Sequence, residues 1–516
     1  MLRPDGLRRA LLWGIVGIAI AVRLPSLLHD GLWRDEAYVY VDLIAPTLHE
    51  FLHRVAETEW HPPLFFLIEY AWVKLAGIGT MQLSILPFAI AIATVPVTYL
   101  LGRDADSPAA GVLAAAIYAL APVAVVYSDE YVYPFAAFAF ALLAWAVVRA
   151  RREPMTLSRW AGVAAASALA TYAHYTALFY VPMLMAWSFF SGRSLRERIA
   201  LAAALAAGAA TFAAWLAVFL HQRAIGLPYE GGSSAGAKIS FFVATALEYV
   251  PARPAVLQLW AAVALAAAAA IVARARNASA AGVALGAFFV VSTAIACADD
   301  LLAIRYVAPL YPLLCVFFAS MLVRAAAAIS RASPAAVRFA LGAVAAAACA
   351  LVAAGDVAFA LQNPSVPKSG FRTLARSRGF DRDTLYVVAP DYMASTFAFY
   401  ARGSGAALRG FVRYDHPEVF RLENYARDWN RPDAVARALS AIAADVRGKR
   451  CLAYAIDGFA RDQARVPYGK SWQLLAALRE RYPLAGRAIY PGRYEPVEVY
   501  RFATAPVSGA AAAICR

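Results

Sequence analysis

Charge is scarce in this chain. Only 16% of its 516 residues are Asp, Glu, Lys or Arg, against 62% that are hydrophobic. Soluble domains carry about 25% charged and about 45–50% apolar residues, so a wholly soluble protein is excluded. Acids are scarcer than bases: 34 Asp and Glu face 48 Lys and Arg, a formal charge of +14. In a soluble protein that excess would point to nucleic acid. Here the basic residues sit mostly in short loops between apolar runs, where they read as topology signals, and no nucleic-acid partner is expected. Cysteine is sparse as well, at five residues, and no Cys/His spacing resembles a zinc site. Cys297, Cys315 and Cys349 lie in apolar runs and read as small buried hydrophobes. Cys451 and Cys515 lie in a polar region, and they can pair if that region is exported.

What the chain has in abundance is long apolar runs. A membrane helix needs roughly 20 apolar residues. Eleven stretches qualify: Ala10–Leu28, Gln82–Leu101, Ala109–Tyr127, Tyr133–Val148, Trp160–Ala173, Tyr175–Phe190, Ile199–Leu220, Ala255–Ala273, Ala280–Ala298, Ala303–Val323 and Ala335–Ala354. The first follows Arg3, Arg8 and Arg9 but is long for a signal peptide and lacks a small-residue cleavage site, so it reads as a retained helix. Pro62–Gly77 is left out, because it is short, opens on two prolines and carries Glu69 and Lys74. A charge at the bilayer centre costs a few kcal/mol or more, so an interfacial or re-entrant helix is expected there. With that exclusion the loops alternate. Arg103, Arg149, Arg151, Arg152, Arg159, Arg193, Arg196, Arg198, Arg274, Arg276, Arg324, Arg331 and Arg338 fall on one side. Asp35, Glu36, Asp129, Glu130, Asp299 and Asp300 fall on the other. The positive-inside rule makes the acidic side the exported one.

The expected fold class is therefore an α-helical polytopic membrane protein of about eleven spans, with a C-terminal α/β extracytoplasmic domain. Residues 1–354 form the transmembrane domain and 355–516 the exported one, a normal domain size. In the latter, strand-like runs at Thr384–Ala389, Leu452–Ile456 and Glu498–Phe502 alternate with helical runs at Arg431–Ala444 and Trp472–Arg481.

Four groups of residues on the exported side invite chemistry. Asp35 and Glu36, in "GLWRDEAYVY", follow the first helix closely. A carboxylate there can take a proton from an incoming hydroxyl; equally, acids in exported loops are common and usually solvated. Asp129 and Glu130 stand at the outer end of a span among Tyr127, Tyr131 and Tyr133, where the plain alternative is a helix-end charge facing water. His174, in "TYAHYTALFY", can hydrogen-bond a phosphate or hydroxyl, or simply sit among tyrosines at the interface. Arg305 and Tyr306 open the tenth span. An arginine on the exported side opposes the usual bias, and its guanidinium matches phosphate oxygens bidentately; snorkelling or pairing with Asp299 and Asp300 is the alternative.

Taken together, these segments resemble the GT-C membrane glycosyltransferases, in particular the bacterial group similar to protein O-mannosyltransferases and lipid A aminoarabinose transferases. The resemblance rests on Asp35 and Glu36 in "LWRDEA", on His61, Pro62, Pro63 and Leu64, on Glu130 in "YSDEYVY", on Tyr172, His174 and Tyr175, and on Arg305, Tyr306 and Pro309. It covers roughly the first 320 residues. One position departs: where the family commonly has Arg, two residues after Glu130, this chain has Val132. That shifts the expected phosphate contact to Arg305.

The resemblance implies a polyprenyl-phosphate-linked sugar donor and an inverting displacement on the outer face of the bacterial inner membrane. Asp35 would act as base, with Glu36 or Glu130 orienting it or the acceptor. Arg305, with His174 and His61, would stabilise the leaving phosphate, and Asp129, Tyr133 and Tyr306 complete the expected substrate-binding set. The acceptor would be a lipid, glycan or protein of the cell envelope. No cofactor is required; a divalent metal is permitted by clustered carboxylates, and nothing in the sequence demands one. The competing reading is a transporter or flippase of a lipid-linked saccharide. Transporters favour midplane charges and repeated halves, and the sequence shows neither.

Overall fold

The computed structural model describes residues 4–189, 193–225, 308–332, 353–412, 427–458 and 468–504, with 335 and 515. The expected spans at Ala255–Ala273 and Ala280–Ala298, nearly all of Ala335–Ala354, and the candidates Arg305 and Tyr306 lie outside these residues.

Helix α1 runs Pro4–His29, followed by two short helices in the first loop, α2 (Arg34–Leu43) and α3 (Leu48–Thr58). The next helix, α4 (Leu64–Ala76), has 13 residues, about 20 Å at 1.5 Å per residue. That is too short to cross roughly 30 Å of hydrocarbon. Helices α5 (Thr80–Ala105), α6 (Pro108–Leu120), α7 (Pro122–Val126), α8 (Val132–Arg152), α9 (Leu157–Ala173), α10 (Ala177–Ser188), α11 (Leu195–Ala210) and α12 (Leu216–Ile225) follow, and a further long helix spans Tyr311–Ala332. Among the described residues, five helical stretches are long and apolar enough to cross a membrane: Gly6–His29, Thr80–Ala105, Val132–Arg152, Leu195–Ala214 and Ala308–Ala328. The protein is a multi-pass membrane protein.

The expected span Ala109–Tyr127 is not one helix. It breaks between α6 and α7 at Ala121–Pro122. Pro122 has no N–H, so the Tyr118 carbonyl four residues back loses its helical partner. Arg23, wholly buried within α1, supplies one: its Nη2 donates to Tyr118 O at 3.1 Å and its Nη1 to Ala119 O at 2.5 Å. A charged side chain inside a span thus answers a backbone group that the bilayer cannot.

The C-terminal part builds a five-stranded sheet in the order β2-β1-β3-β5-β4. Its strands are β1 (Thr384–Ala389), β2 (Ala407–Gly410), β3 (Cys451–Asp457), β4 (Leu484–Tyr490) and β5 (Val497–Ala503). β1 is parallel to β2 and β3, while β5 is antiparallel to β3 and β4. The strand period of two sorts β1 onto two cores. Leu385 and Val387 pack with Ala438, Ile442, Leu474 and Leu478 of helices Ala434–Asp445 and Tyr468–Arg481. Tyr386 and Val388 pack with Phe371, Leu374 and Phe397 of helices Gly370–Ser377 and Ala394–Ala401. β1 and β3 are buried along their whole length, which is why they read as plain apolar runs in sequence. β4 alternates weakly around Gly486 and was not visible that way. A disulfide joins Cys451 to Cys515.

The sheet domain touches the membrane part through helix Ala394–Ala401. Phe399 belongs to the large membrane core, and its ring meets Tyr40 of α2 edge-on at 5.0 Å. Residues 353–362 are helical and run through the expected 354/355 boundary.

Candidate active site

The turn after α1 is tightly built. Gly31 has φ +72, and a Cβ there would lie 2.2 Å from Arg372 Nη1 and 2.5 Å from Tyr400 Oη. Only glycine fits that conformation and that space. Tyr400 then brackets Leu32, accepting from its N–H at 2.7 Å and donating to its carbonyl at 2.9 Å. Trp33 caps α2, and its N–H donates to Glu36 Oε2 at 3.1 Å. Asp35 and Glu36 occupy the first turn, where the helix dipole favours acids.

The two neighbouring acids face different surroundings. The Asp35 side chain is 33% exposed and meets Arg34 Nε at 3.1 Å. The Glu36 side chain is 1% exposed, and its Oε1 accepts from Lys368 Nζ at 2.6 Å. Lys368 comes from the C-terminal domain and is itself wholly buried. Its Nζ also lies 3.0 Å from Asp129 Oδ1. The turn carrying Asp129 and Glu130 is in turn tied to the first loop, since the Tyr131 hydroxyl donates to the backbone carbonyl of Asp35. Beside this group Arg493 Nη2 meets Asp30 Oδ2 at 2.8 Å. Burial pulls the Lys368 ammonium towards its neutral form, but Asp129, Glu36 and Glu130 outweigh it and hold Lys368 well above its ordinary value. Burial raises Glu36, against the pull of Lys368 and with Glu130 and Asp129 adding to the rise.

His61, Tyr133 and His174 also come together. Ring centroids lie 5.2 Å apart for His61 and His174, 5.9 Å for His61 and Tyr133, and 6.2 Å for Tyr133 and His174. His174 ends α9, and its Nδ1 accepts from the Thr176 N–H at 3.2 Å. Burial, and then His61, push His174 well below its ordinary value, so it is neutral. With Nδ1 accepting, the proton sits on Nε2. That Nε2 is buried and has no hydrogen-bond partner. It is a ready donor for an oxygen-rich ligand.

The first loop holds a second acidic group that sequence reading passed over. Asp42, Glu59 and Glu69 are 1%, 8% and 0% exposed. Thr58 donates to Asp42 at 3.0 Å. Burial pushes the Asp42 carboxyl up to about 7, opposed by Thr58 and Arg54. Burial also raises Glu59 well above its usual range, with Asp42, Asp35 and Glu69 adding, and it raises Glu69 by itself. Both Glu69 oxygens lack a hydrogen-bond partner. Lys368 and Arg493 were missed too, because both lie far along the chain from the acids they answer, and no local pattern marks them. Among the described residues, no group of three or more His, Cys, Asp or Glu is placed to hold a metal ion.

Residues 60–217 match the family described as dolichyl-phosphate-mannose-protein mannosyltransferase. Among solved structures, ArnT from Cupriavidus metallidurans in the apo state superposes with a TM-score of 0.61 at 12% identity, covering 96% of this chain and 97% of that one. The same protein bound to undecaprenyl phosphate gives 0.55 at 13% identity, over 96% and 97% of the two chains. The archaeal oligosaccharyltransferase AglB from Archaeoglobus fulgidus, in complex with an inhibitory peptide and a dolichol-phosphate, gives 0.54 at 14% identity, over 94% of this chain and 73% of that one. At such identities the likeness is one of fold. No curated protein sequence matches the chain significantly. The family match over residues 60–217 and the likeness of architecture both support a GT-C fold, and they do not favour the transporter reading.

Proposed function

We propose that the chain transfers a sugar from a polyprenyl-phosphate-linked donor to a hydroxyl of a cell-envelope acceptor, with inversion, at the outer face of the bacterial inner membrane. The observation that carries the mechanism is the contrast between two adjacent acids: Glu36 is locked into a buried ion pair, whereas Asp35 is part-exposed at the same helix start. Asp35 is the base in this reading. It accepts the proton of the acceptor hydroxyl as that oxygen bonds to the anomeric carbon. The bond from the anomeric carbon to the phosphate oxygen breaks, and the lipid phosphate leaves with the electron pair. Donors aimed at the departing phosphate stabilise the charge that develops on it. The His174 Nε2–H is one, and His61 and Tyr133 line the same place. Arg305 with Tyr306 is proposed as the cationic partner of the phosphate. Glu36, Asp129 and Glu130 shape and orient the loop that presents Asp35.

The sidedness is part of the proposal. The acidic loops and the C-terminal domain face the exported side, which the Cys451–Cys515 disulfide supports, since disulfides persist in oxidising compartments. A membrane domain, 1–354, and an exported domain, 355–516, belong to the same proposal, with the helix at 353–362 running across their boundary. The decisive assay uses purified protein, a polyprenyl-phosphate sugar and an envelope acceptor. Asp35→Asn should insert and fold yet abolish transfer; wild-type turnover by that variant would remove Asp35 as the base. Arg305→Ala should weaken donor use more than acceptor use, and equal loss on both would leave Arg305 a structural residue.

A further inference from the structure

We infer that Lys368 is a positioning residue of the active site: the C-terminal domain inserts its ammonium between the two acidic loops of the membrane domain and thereby sets the geometry of Asp35. This rests on reading Asp35 as the catalytic base.

The insertion is built from both backbone and side chain. The Lys368 N–H donates to the Asp30 carbonyl at 3.1 Å, which joins the C-terminal domain to the end of α1 directly. The Lys368 carbonyl accepts from the N–H groups of Tyr494 at 3.0 Å and Glu495 at 3.1 Å. Arg493, next along that second segment, donates its own N–H to Pro367 O at 2.8 Å and pairs its guanidinium with Asp30. Gly370 N–H donates to Glu495 O at 2.7 Å, which completes a short parallel bridge between the two segments. Gly370 has no room for a side chain, because a Cβ there would meet Tyr490 O at 2.4 Å. Lys368 is therefore delivered by a strap whose backbone is bonded on both sides.

At the tip of the strap, one ammonium reaches two loops. It holds Glu36 Oε1, while the other oxygen of the same carboxylate is held by the Trp33 N–H. It holds Asp129 from the second loop. The second loop returns the tie through Tyr131, which bonds the carbonyl of Asp35 itself. The peptide unit of Asp35 is thus fixed from one side by Tyr131, and its neighbour Glu36 from the other by Lys368. The Asp35 side chain, left part-exposed, is the group that this frame presents. The second acidic loop, residues 127–134, has no Lys or Arg of its own. Lys368 supplies that loop with a positive charge from the other domain.

The test uses the full-length chain in detergent or nanodiscs, with Lys368→Met as the main variant and Lys368→Arg as the conservative one. Two readouts are taken: hydrogen exchange of residues 30–36 and 128–131, and the split of kcat from donor KM. In Lys368→Met, exchange in both segments should rise, and kcat should fall by about a hundredfold, the effect of misplacing a reacting group by about 1 Å. Donor KM should stay close to wild type, and Lys368→Arg should recover part of kcat. Unchanged exchange at 30–36 in folded Lys368→Met, or an unchanged kcat, overturns the inference. If Lys368→Met does not accumulate, the Lys368→Met/Glu36→Gln/Asp129→Asn variant removes the ammonium and both carboxylates it faces, and is held to the same exchange criterion. Failure of the catalytic reading looks different: Asp35→Asn would then retain transfer, whatever Lys368→Met does to exchange.

Discussion

Two buried acidic groups flank Asp35, one shared between the first loop and the turn before α8 and the other within the first loop, and they have different partners. One group, Asp30, Glu36 and Asp129, is met by Lys368 and Arg493. The other, Asp42, Glu59 and Glu69, draws on Thr58 and on Arg54 at Asp42, and the Glu69 oxygens have no hydrogen-bond partner. A buried carboxylate without a cation takes up a proton in place of holding a charge. A buried carboxylate with a cation becomes half of a bond between chain segments. The first group therefore ties the C-terminal part to the first loop, whereas the second gathers carboxyl groups whose proton affinity burial raises. Asp35 lies between them, next to Glu36 in sequence and near enough to Glu59 to raise its proton affinity.

The contrast can be broken in order of expected effect. Asp35→Asn should be the most severe for turnover. Positioned general bases contribute about 10²–10⁴-fold, so a loss in that range is expected in a transfer assay, with the melting temperature unchanged. Lys368→Met should be the most severe for stability, because removing one partner of a buried ion pair costs about 3–5 kcal/mol. A thermal melt of full-length protein checks this, and replacing Glu36 by Gln in the same chain should recover part of the loss.

Smaller effects distinguish the second group. Glu69→Gln replaces one neutral group by another and should shift stability by no more than about 1 kcal/mol. A loss as large as that of Lys368→Met would mean that Glu69 is ionised and paired. Asp42 makes the same point through pH. Its folded value is raised, from 3.8 to about 7, so the folded state holds a proton that the unfolded chain has released. The stability Asp42 contributes is complete below pH 3.8 and is lost as pH rises through about 7. Asp42→Asn should flatten the melting-temperature profile over that window. Glu495, at the root of the strap, is pushed up to about 8 by burial, against Ser369 and Arg34. Glu495→Gln should likewise remove a decline in stability between pH 4.5 and about 8.

Much of this protein was legible one residue at a time. Long apolar runs mark the spans because no soluble core needs 20 such residues in a row. The prolines and charges of Pro62–Gly77 argued against a crossing; α4 has 13 residues, but α10, in the expected span Tyr175–Phe190, has only 12, so helix length does not separate them. β1 and β3 read as strands because a buried sheet needs apolar runs of that length, and β5 because of its β-branched and aromatic residues. The break at Pro122 was missed, since an apolar run conceals a helix boundary whose lost hydrogen bond is answered by Arg23 from another helix. Asp35 and Glu36 stood out as a pair, but the pair alone gave no division of labour between them.

Local chemistry, read from the sequence by itself, determined the membrane character, the class of fold and the short list of candidate acids and histidines. Periodicity, charge sidedness and residue type all act within a few residues, so they can be read in a line. The tertiary structure decided which acid is presented and which is locked. That choice depends on Lys368 reaching Glu36 across 332 positions. A buried charge is set by what lies within a few ångströms in space, and chain order does not record that distance.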